Sequence, residues 1–294
     1  MGKRKRNWKI LYIFLGILLG GSVFFGLNQP IRNQVVKTVM GYKQPENTCI
    51  LVVGQDSVKP LRSDTIILVC MNVHSGEIML YSVPRDSRLE VSENGFDKIN
   101  HSYARGGIKL LKGTLEKNLG LTIPYTVETD YQGFEVVIDT LGGVEIDVEK
   151  PMKYIDKAQD LNIDIPAGKQ RLSGQKALQY VRFRNDKLGD IGRIKRQQKF
   201  LEAMLNEMDN PLHLPKIPQI MEQLRQALVT NIPGDEIVNL ALWFKGLKQR
   251  MVSMEMMAGE PVYIEGVSYW EPHLDASRQM IHDFFTKEKK QGEQ

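Results

Sequence analysis

Residues 49–83 read CILVVGQDSVKPLRSDTIILVCMNVHSGEIMLYSV. This stretch decides the fold class. It holds three short apolar runs, at 49–53, 64–71 and 78–83. Continuous runs of this length are typical of strands buried on both faces of a sheet. Short turns join them, His74-Ser-Gly76 among them, so they predict a mixed sheet rather than a purely parallel one.

Downstream the hydrophobic period changes. Apolar residues at 108, 111, 115 and 119 predict a helix over 107–119. Phe134, Val137, Ile138 and Leu141 predict another, stopped by Gly142-Gly143. Strands are expected at 124–129 and 144–148, the second alternating with one wet face. Ser173 is a good N-cap for a helix over 174–180, and a long helix follows at 190–208. Helices at 217–229, 234–247 and 273–286 and weak strands at 251–256 and 261–264 close the chain. Strands interleaved with helices predict an α/β fold, a layered α-β-α domain with a central mixed β-sheet.

The N-terminus adds one more element. Residues 10–31 carry no charge, and the most apolar 18 of them, 10–27, span about 27 Å as a helix. Five positive charges precede them, which places residues 1–9 in the cytoplasm and the rest of the chain outside. A cleaved signal peptide is the competing reading, but no A-x-A-like site follows Gly26. The expectation is a transmembrane anchor at 10–31, a linker at 32–48, a core at 49–208 and an α/β extension at 209–294 packed on the same domain.

Removing those five charges from the 39 Lys and Arg leaves 34 against 35 Asp and Glu. The external part is not globally basic, which argues against a nucleic-acid surface. Two cysteines, Cys49 and Cys70, exclude a disulfide scaffold. Both fall in apolar runs, so buried free thiols are the default and one bridge is the alternative.

Against that near-neutral background, residues 182–197 stand out: RFRNDKLGDIGRIKRQ. Arg182, Arg184, Arg193 and Arg196 sit beside Asp186 and Asp190. Arginine binds two oxygens of a phosphate or carboxylate at once, so the cluster points to an anionic ligand with several oxygens. Arg182 and Arg184 alternate as on one face of a strand, while Arg193, Arg196 and Gln197 share a helix face. Gln197 also falls on the apolar stripe of its helix, where it needs a hydrogen-bond partner. Two further segments carry polar residues at strand ends. One holds Asp56, Arg62, Ser63 and Asp64, whose carboxylates suit a hard cation such as Mg²⁺ or serve as ordinary turn caps. The other is Ser82-Val-Pro-Arg-Asp86, where proline makes a rigid edge that presents Arg85 and Asp86.

Together these segments resemble the LytR-CpsA-Psr family. The matching residues are Leu51-Val-Val-Gly-Gln-Asp56, Arg62-Ser-Asp-Thr65, Ser82-Val-Pro-Arg-Asp86, Lys98-Ile-Asn100 with Tyr103 and Gly106-Gly107, and Leu141-Gly-Gly-Val144. They continue through Leu172-Ser-Gly-Gln-Lys-Ala-Leu178, Tyr180-Val-Arg-Phe-Arg184, Asp190, Arg193 and Arg196-Gln197. Val58 stands where the family commonly has an arginine, with Lys59 beside it, and Arg105 is unusual before the glycine pair. The resemblance spans roughly 49–208.

It implies a phosphotransferase outside the membrane of a Gram-positive bacterium. Such an enzyme moves a glycopolymer (teichoic acid or capsule) from an undecaprenyl-pyrophosphate carrier to a peptidoglycan hydroxyl. A phosphodiester forms and undecaprenyl phosphate is released. By the same resemblance Asp56 and Asp64 would hold Mg²⁺, with Mn²⁺ as the substitute. Arg62, Arg85, Arg182, Arg184, Arg193 and Arg196 with Gln197 would hold the pyrophosphate. Arg85, Asp86, Arg182 and Arg184 would act in catalysis, with Asp86 as candidate base. The polyprenyl tail would need an apolar cavity, for which the helices at 107–119, 131–141 and 190–208 are candidates. A lipid-pyrophosphate or wall-polymer binding protein without turnover, and a lipid pyrophosphatase using water as acceptor, are the alternatives.

Overall fold

The computed structural model describes residues 46–55, 63–91, 95–156, 161–183, 189–207, 223, 226–246 and 251–287. The first half runs β1 (Thr48–Gln55), β2 (Ser63–Asn72), β3 (Glu77–Ser82), β4 (Arg88–Glu90), β5 (Phe96–Lys98), α1 (Ile99–Leu119), β6 (Tyr125–Thr129) and α2 (Tyr131–Thr140). It continues as β7 (Val144–Val148), β8 (Met152–Asp156), β9 (Leu161–Ile165), β10 (Gly168–Leu172), α3 (Gly174–Arg182) and α4 (Gly189–Glu207). The C-terminal part holds β11 (Val229–Thr230), α5 (Gly234–Gly246), β12 (Met251–Met256), β13 (Gly259–Ile264), β14 (Val267–Pro272) and α6 (Leu274–Thr286). The apolar segment at 10–31 and the expected helix at 217–229 lie outside or largely outside these residues. Among the described residues no helix is long and apolar enough to cross a membrane.

The central sheet has the order β11-β6-β1-β2-β3-β12. β1 pairs antiparallel with β2 and β2 with β3, while β6 joins β1 and β12 joins β3 in parallel. The sheet is mixed because few residues separate the first three strands along the chain, while longer stretches of sequence bring in the outer ones. Residues 209–294 contribute to this core: β12 extends the sheet, and Ile281 and Phe284 of α6 join the same buried cluster as Leu51, Leu68 and Tyr81.

Alternation along β1 and β2 assigns the layers. Cys49, Leu51 and Val53 with Ile66, Leu68 and Cys70 face α1 and α6, meeting Leu111, Leu115 and Phe284. The opposite face packs against α5 at its β3 end, where Ile78 and Leu80 meet Leu240 and Trp243. A third cluster joins α2, α3 and α4 to β7–β10 through Ile138, Ile146, Tyr180 and Phe200. Close approach within it needs a glycine: a Cβ on Gly174 would lie 2.4 Å from the Glu135 carbonyl oxygen.

Three expectations change. The helix expected at 107–119 begins earlier, at Ile99, with a kink at Gly106-Gly107, where Gly107 has φ 59°. It packs on the filled face of the sheet, away from the cavity described below, because the odd residues of β1 point toward it. Arg182 belongs to no strand: α3 runs through it and Phe183 is the extended C-cap. Its apolar residues Ala177, Tyr180 and Val181 keep helical spacing and are buried, which carries the helix past 180. Cys49 and Cys70 are not free thiols. They are direct cross-strand partners on β1 and β2, both buried, and form a disulfide.

Outside the sheet, Glu149 braces the two helices that bear the arginines. Its carboxylate accepts from Tyr180 Oη at 2.9 Å and Lys199 Nζ at 2.7 Å. Burial pushes the Glu149 carboxyl up, but hydrogen bonds from Lys199, its own backbone and Tyr180 outweigh it and hold it below its ordinary 4.5. Burial and this carboxylate together push the Tyr180 phenol far above its usual range.

Two outcomes are expected. The bridge closes a loop of 21 residues, so the Cys49→Ala/Cys70→Ala pair loses about 3 kcal/mol of stability in denaturant titration. A reductant should destabilise the wild type alone. Because the Glu149 carboxyl is depressed on folding, its contribution is present above pH 4.5 and fades as pH falls through the folded value. Glu149→Gln should therefore unfold earlier than wild type near pH 7, and the two should converge in acid.

Candidate functional site

A cavity of about 370 Å³ lies between the sheet and the cluster of α2, α3 and α4. Val52, Gly54, Thr65 and Ile67, the even residues of β1 and the odd ones of β2, form its floor. Phe134 of α2, Leu178 and Val181 of α3, and Phe200 and Leu201 of α4 supply apolar walls. Tyr154 and Leu161 close it from the β8–β9 hairpin. Two of the three helices expected to line such a cavity do so, and α3 takes the place of the third.

Three arginines line this cavity from separate elements: Arg85 after β3, Arg182 at the end of α3 and Arg193 in α4. Arg85 follows Pro84, and its loop is held by Asn100 N–H donating to the Arg85 carbonyl at 3.1 Å. Arg182 lies 4.3 Å from the Tyr131 ring centroid, a cation–π contact that fixes its plane. Arg193 is 94% buried, so its charge sits in a low-dielectric wall where an anion beside it would be little screened.

Gln197, one turn after Arg193, also lines the cavity. Its Nε2 donates to Thr65 Oγ1 at 3.2 Å and to the Val181 carbonyl at 3.4 Å. Its place on the buried stripe thus has a reason, a polar link from α4 to both the sheet and α3. Arg196 is separated from that pair and is absent from the cavity wall. Its guanidinium donates to the Phe183 carbonyl at 2.5 Å and lies 5.2 Å from the Phe183 ring. At ~100° per residue, position 196 lies about 60° to one side of 193 and 197 about 40° to the other, which is enough to part them.

Asp86 does not line the cavity. Oδ1 pairs with Lys98 Nζ at 2.8 Å, and Oδ2 lies 3.7 Å from Arg85 Nε. Arg62, Arg184 and Asp56 lie outside the described residues. The backbone of Asp64 occupies a bulge, since Gln55 pairs with Ser63 and Gly54 with Thr65. This sets position 64 beside the end of β1, next to two residues of the cavity floor. Among the described residues no cluster of three His, Cys, Asp or Glu side chains forms a metal site. Behind the floor, Tyr103 Oη donates to Glu128 at 2.7 Å. Burial and then that carboxylate raise its pKa, so the phenol stays a neutral donor.

Two carboxylates of the wall escaped the sequence reading, Asp130 and Asp156. Asp130 is the N-cap of α2 and accepts from Gly133 N–H at 2.7 Å. Its signal was available as an Asp just before an apolar-periodic segment. Asp156 ends β8, a hairpin strand whose short alternation carried no comparable signal.

Comparison with known proteins follows the same lines. A model of the LytR_cpsA_psr family matches residues 27–286. The chain is 38% identical over 199 residues to the regulatory protein MsrR of Staphylococcus aureus, covering 66% of this chain and 59% of that protein. It is 27% identical over 296 residues to the polyisoprenyl-teichoic acid–peptidoglycan teichoic acid transferase TagU of Oceanobacillus iheyensis, covering 91% and 90%. The crystal structure of Bacillus subtilis TagV superposes with a TM-score of 0.72 at 27% identity, over 83% of this chain and 98% of that one. The match reaches beyond the cavity to the C-terminal strand and helix that complete the sheet, and the chain belongs to the LytR_cpsA_psr family.

Proposed function

We propose that this protein is a membrane-anchored phosphotransferase. It takes a glycopolymer from an undecaprenyl-pyrophosphate carrier and joins it to a peptidoglycan hydroxyl outside the cell. The observation that carries this reading is the cavity itself: three guanidiniums and Gln197 share one space with Phe134, Leu178, Val181 and Phe200. A lipid pyrophosphate has the same division, an anionic head with many oxygens and an apolar tail. A volume of about 370 Å³ suits the head and the first isoprene units, and the rest of the tail remains in the bilayer. The transferase name of TagU and the likeness to TagV support the same reading.

The chemistry asks for positioning and charge neutralisation more than covalent help. The acceptor hydroxyl oxygen attacks the polymer-bearing phosphorus. The bond from that phosphorus to the bridging oxygen breaks, and undecaprenyl phosphate leaves with the electron pair. Arg85, Arg182 and Arg193 stabilise the charge that gathers on the bridging and non-bridging oxygens. The attacking proton passes to a carboxylate, for which Asp86 stands beside Arg85 at 3.7 Å. Asp56 and Asp64 would hold Mg²⁺, or Mn²⁺ in its place, and their hard oxygens fit that ion. The metal would neutralise pyrophosphate charge. The apolar segment at 10–31 would anchor the domain at the outer membrane face, within reach of its lipid substrate.

Two outcomes test this. With the full chain, lipid-linked polymer and peptidoglycan, Arg85→Ala and Arg182→Ala should each slow transfer by about 10²–10³ with unchanged melting. Wild-type rates in both variants would sink the arginine site, and no transfer by the wild type would sink the transferase reading. Undecaprenyl phosphate released equally fast without glycan acceptor would identify a pyrophosphatase instead. Chelation of divalent ions should stop transfer, and added Mg²⁺ or Mn²⁺ should restore it. Full activity after exhaustive chelation would remove the metal from the mechanism.

A further inference from the structure

Two hairpins stand beside Arg85 and take no part in the cavity. β4 and β5 pair with each other, as do β13 and β14. A parallel bridge between Ser87 and Trp270 joins them, and Trp270 N–H donates to the Asp86 carbonyl at 3.0 Å. The strands therefore follow the order β5-β4-β14-β13 as one continuous surface. Alternation turns Ser87 and Leu89 inward, where both are fully buried. It turns Arg88, Phe96, Lys98, Tyr269 and Glu271 outward on a shared face.

That face is built rather than merely exposed. Arg88 lies 4.5 Å from the Phe96 ring centroid and pairs with Glu271 at 3.4 Å. Lys98 lies 5.3 Å from the Tyr269 centroid and pairs with Asp86 at 2.8 Å. Each ring is braced by a cation, and Phe96 remains 58% exposed. Trp270 Nε1 donates to the Met257 carbonyl at 3.1 Å, which fixes the hairpin on the domain.

Composition selects the occupant. From 259 to 272 the chain carries Glu260, Glu265 and Glu271, no Lys or Arg, and the aromatics Tyr263, Tyr269 and Trp270. Glu265 sits at the hairpin tip beside Gly266. A carboxylate there resists entry into acyl chains and repels an anionic lipid surface. Carboxylates accept hydrogen bonds from hydroxyls, and aromatic rings cover the C–H faces of pyranose rings. Arg88 and Lys98 add donors for ring and amide oxygens. The surface also ends at the reaction centre, because Asp86 lies between Lys98 on this face and Arg85 in the cavity wall.

We propose that the β5-β4-β14-β13 face binds a hydroxyl-rich glycan strand and brings its acceptor hydroxyl to the Asp86 edge of the cavity. This rests on the transferase reading for the identity of the acceptor. It gives the two substrates separate entries, with the lipid pyrophosphate under α2–α4 and the glycan across the hairpins.

The test uses the full-length chain in detergent micelles, sedimented with insoluble peptidoglycan stripped of attached polymer. Phe96→Ala/Tyr269→Ala should weaken retention about tenfold. The same variant should raise the acceptor KM with unchanged melting and unchanged binding of undecaprenyl pyrophosphate. Arg85→Ala should be retained like wild type. Wild-type retention by the double variant, or no retention of the wild type, overturns the proposal. Quenching of Trp270 fluorescence by brominated lipid in proteoliposomes of a Trp8→Phe/Trp243→Phe chain also overturns it, since the face would then lie in the bilayer. Loss of retention in the hairpin variant, with no polymer transfer by the wild type, would sink the transferase reading and leave the glycan surface standing.

Discussion

The pairing of β1 with β2 is the constraint on which the rest of the molecule depends. A strand sends successive side chains to opposite faces, so one two-strand wall must serve two environments. Leu51, Val53, Ile66 and Leu68 enter a filled core against α1 and α6. Val52, Gly54, Thr65 and Ile67 form the floor of an open cavity. A one-residue slip would exchange these sets, fill the cavity floor with leucines and isoleucines and empty the core. The Cys49–Cys70 bridge joins residues in register at the far end of the same pair, so that slip is also blocked covalently.

The second constraint is the joint between α3 and α4. A wall lined by several arginines needs its charges held apart and aimed inward, and a loose joint would let them turn to solvent. Arg196 binds the carbonyl of the α3 cap residue Phe183, and Gln197 reaches the Val181 carbonyl and Thr65 of the sheet. Tyr180, Glu149 and Lys199 close the joint from outside. A further tie runs backward: Gln198 Nε2 donates to Ser82 Oγ at 3.2 Å and to the Glu255 carbonyl at 2.8 Å. Four polar residues in a row, 196–199, thus hold one helix to α3, β2, β3, β12 and Glu149 while Arg193 lines the cavity.

The C-terminal residues hold the other wall in place. β12 lies against β3, and Met257 N–H donates to the Ser82 carbonyl just ahead of Pro84-Arg85-Asp86. Buried Asn72 at the end of β2 donates to the Phe284 and Lys287 carbonyls, tying α6 to the sheet. The segment that reads as an extension therefore sets the backbone that presents Arg85. Packing alone required it: without β12 and α6, Met79, Tyr81 and Val83 would lose part of their cover.

Residue order alone was enough for the α/β class, the mixed sheet, most element positions and the arginine-rich tract, because each rests on a local signal. Apolar runs, helical spacing, Ser173 as a cap and Gly142-Gly143 as a stop act over a few residues. The short strands β4, β5, β8, β9, β10 and β14 were not legible, since pieces of three to six residues with mixed polarity have no period of their own. Nor were the partners. Periodicity gives a face of a helix but not what the face meets. Only the folded chain parts Arg193 and Gln197 from Arg196, turns α1 away from the cavity, pairs Cys49 with Cys70 and brings Asp130 and Asp156 to the wall. Each of these depends on which elements approach one another across long stretches of sequence, and that is settled by packing over the whole core rather than by any local preference.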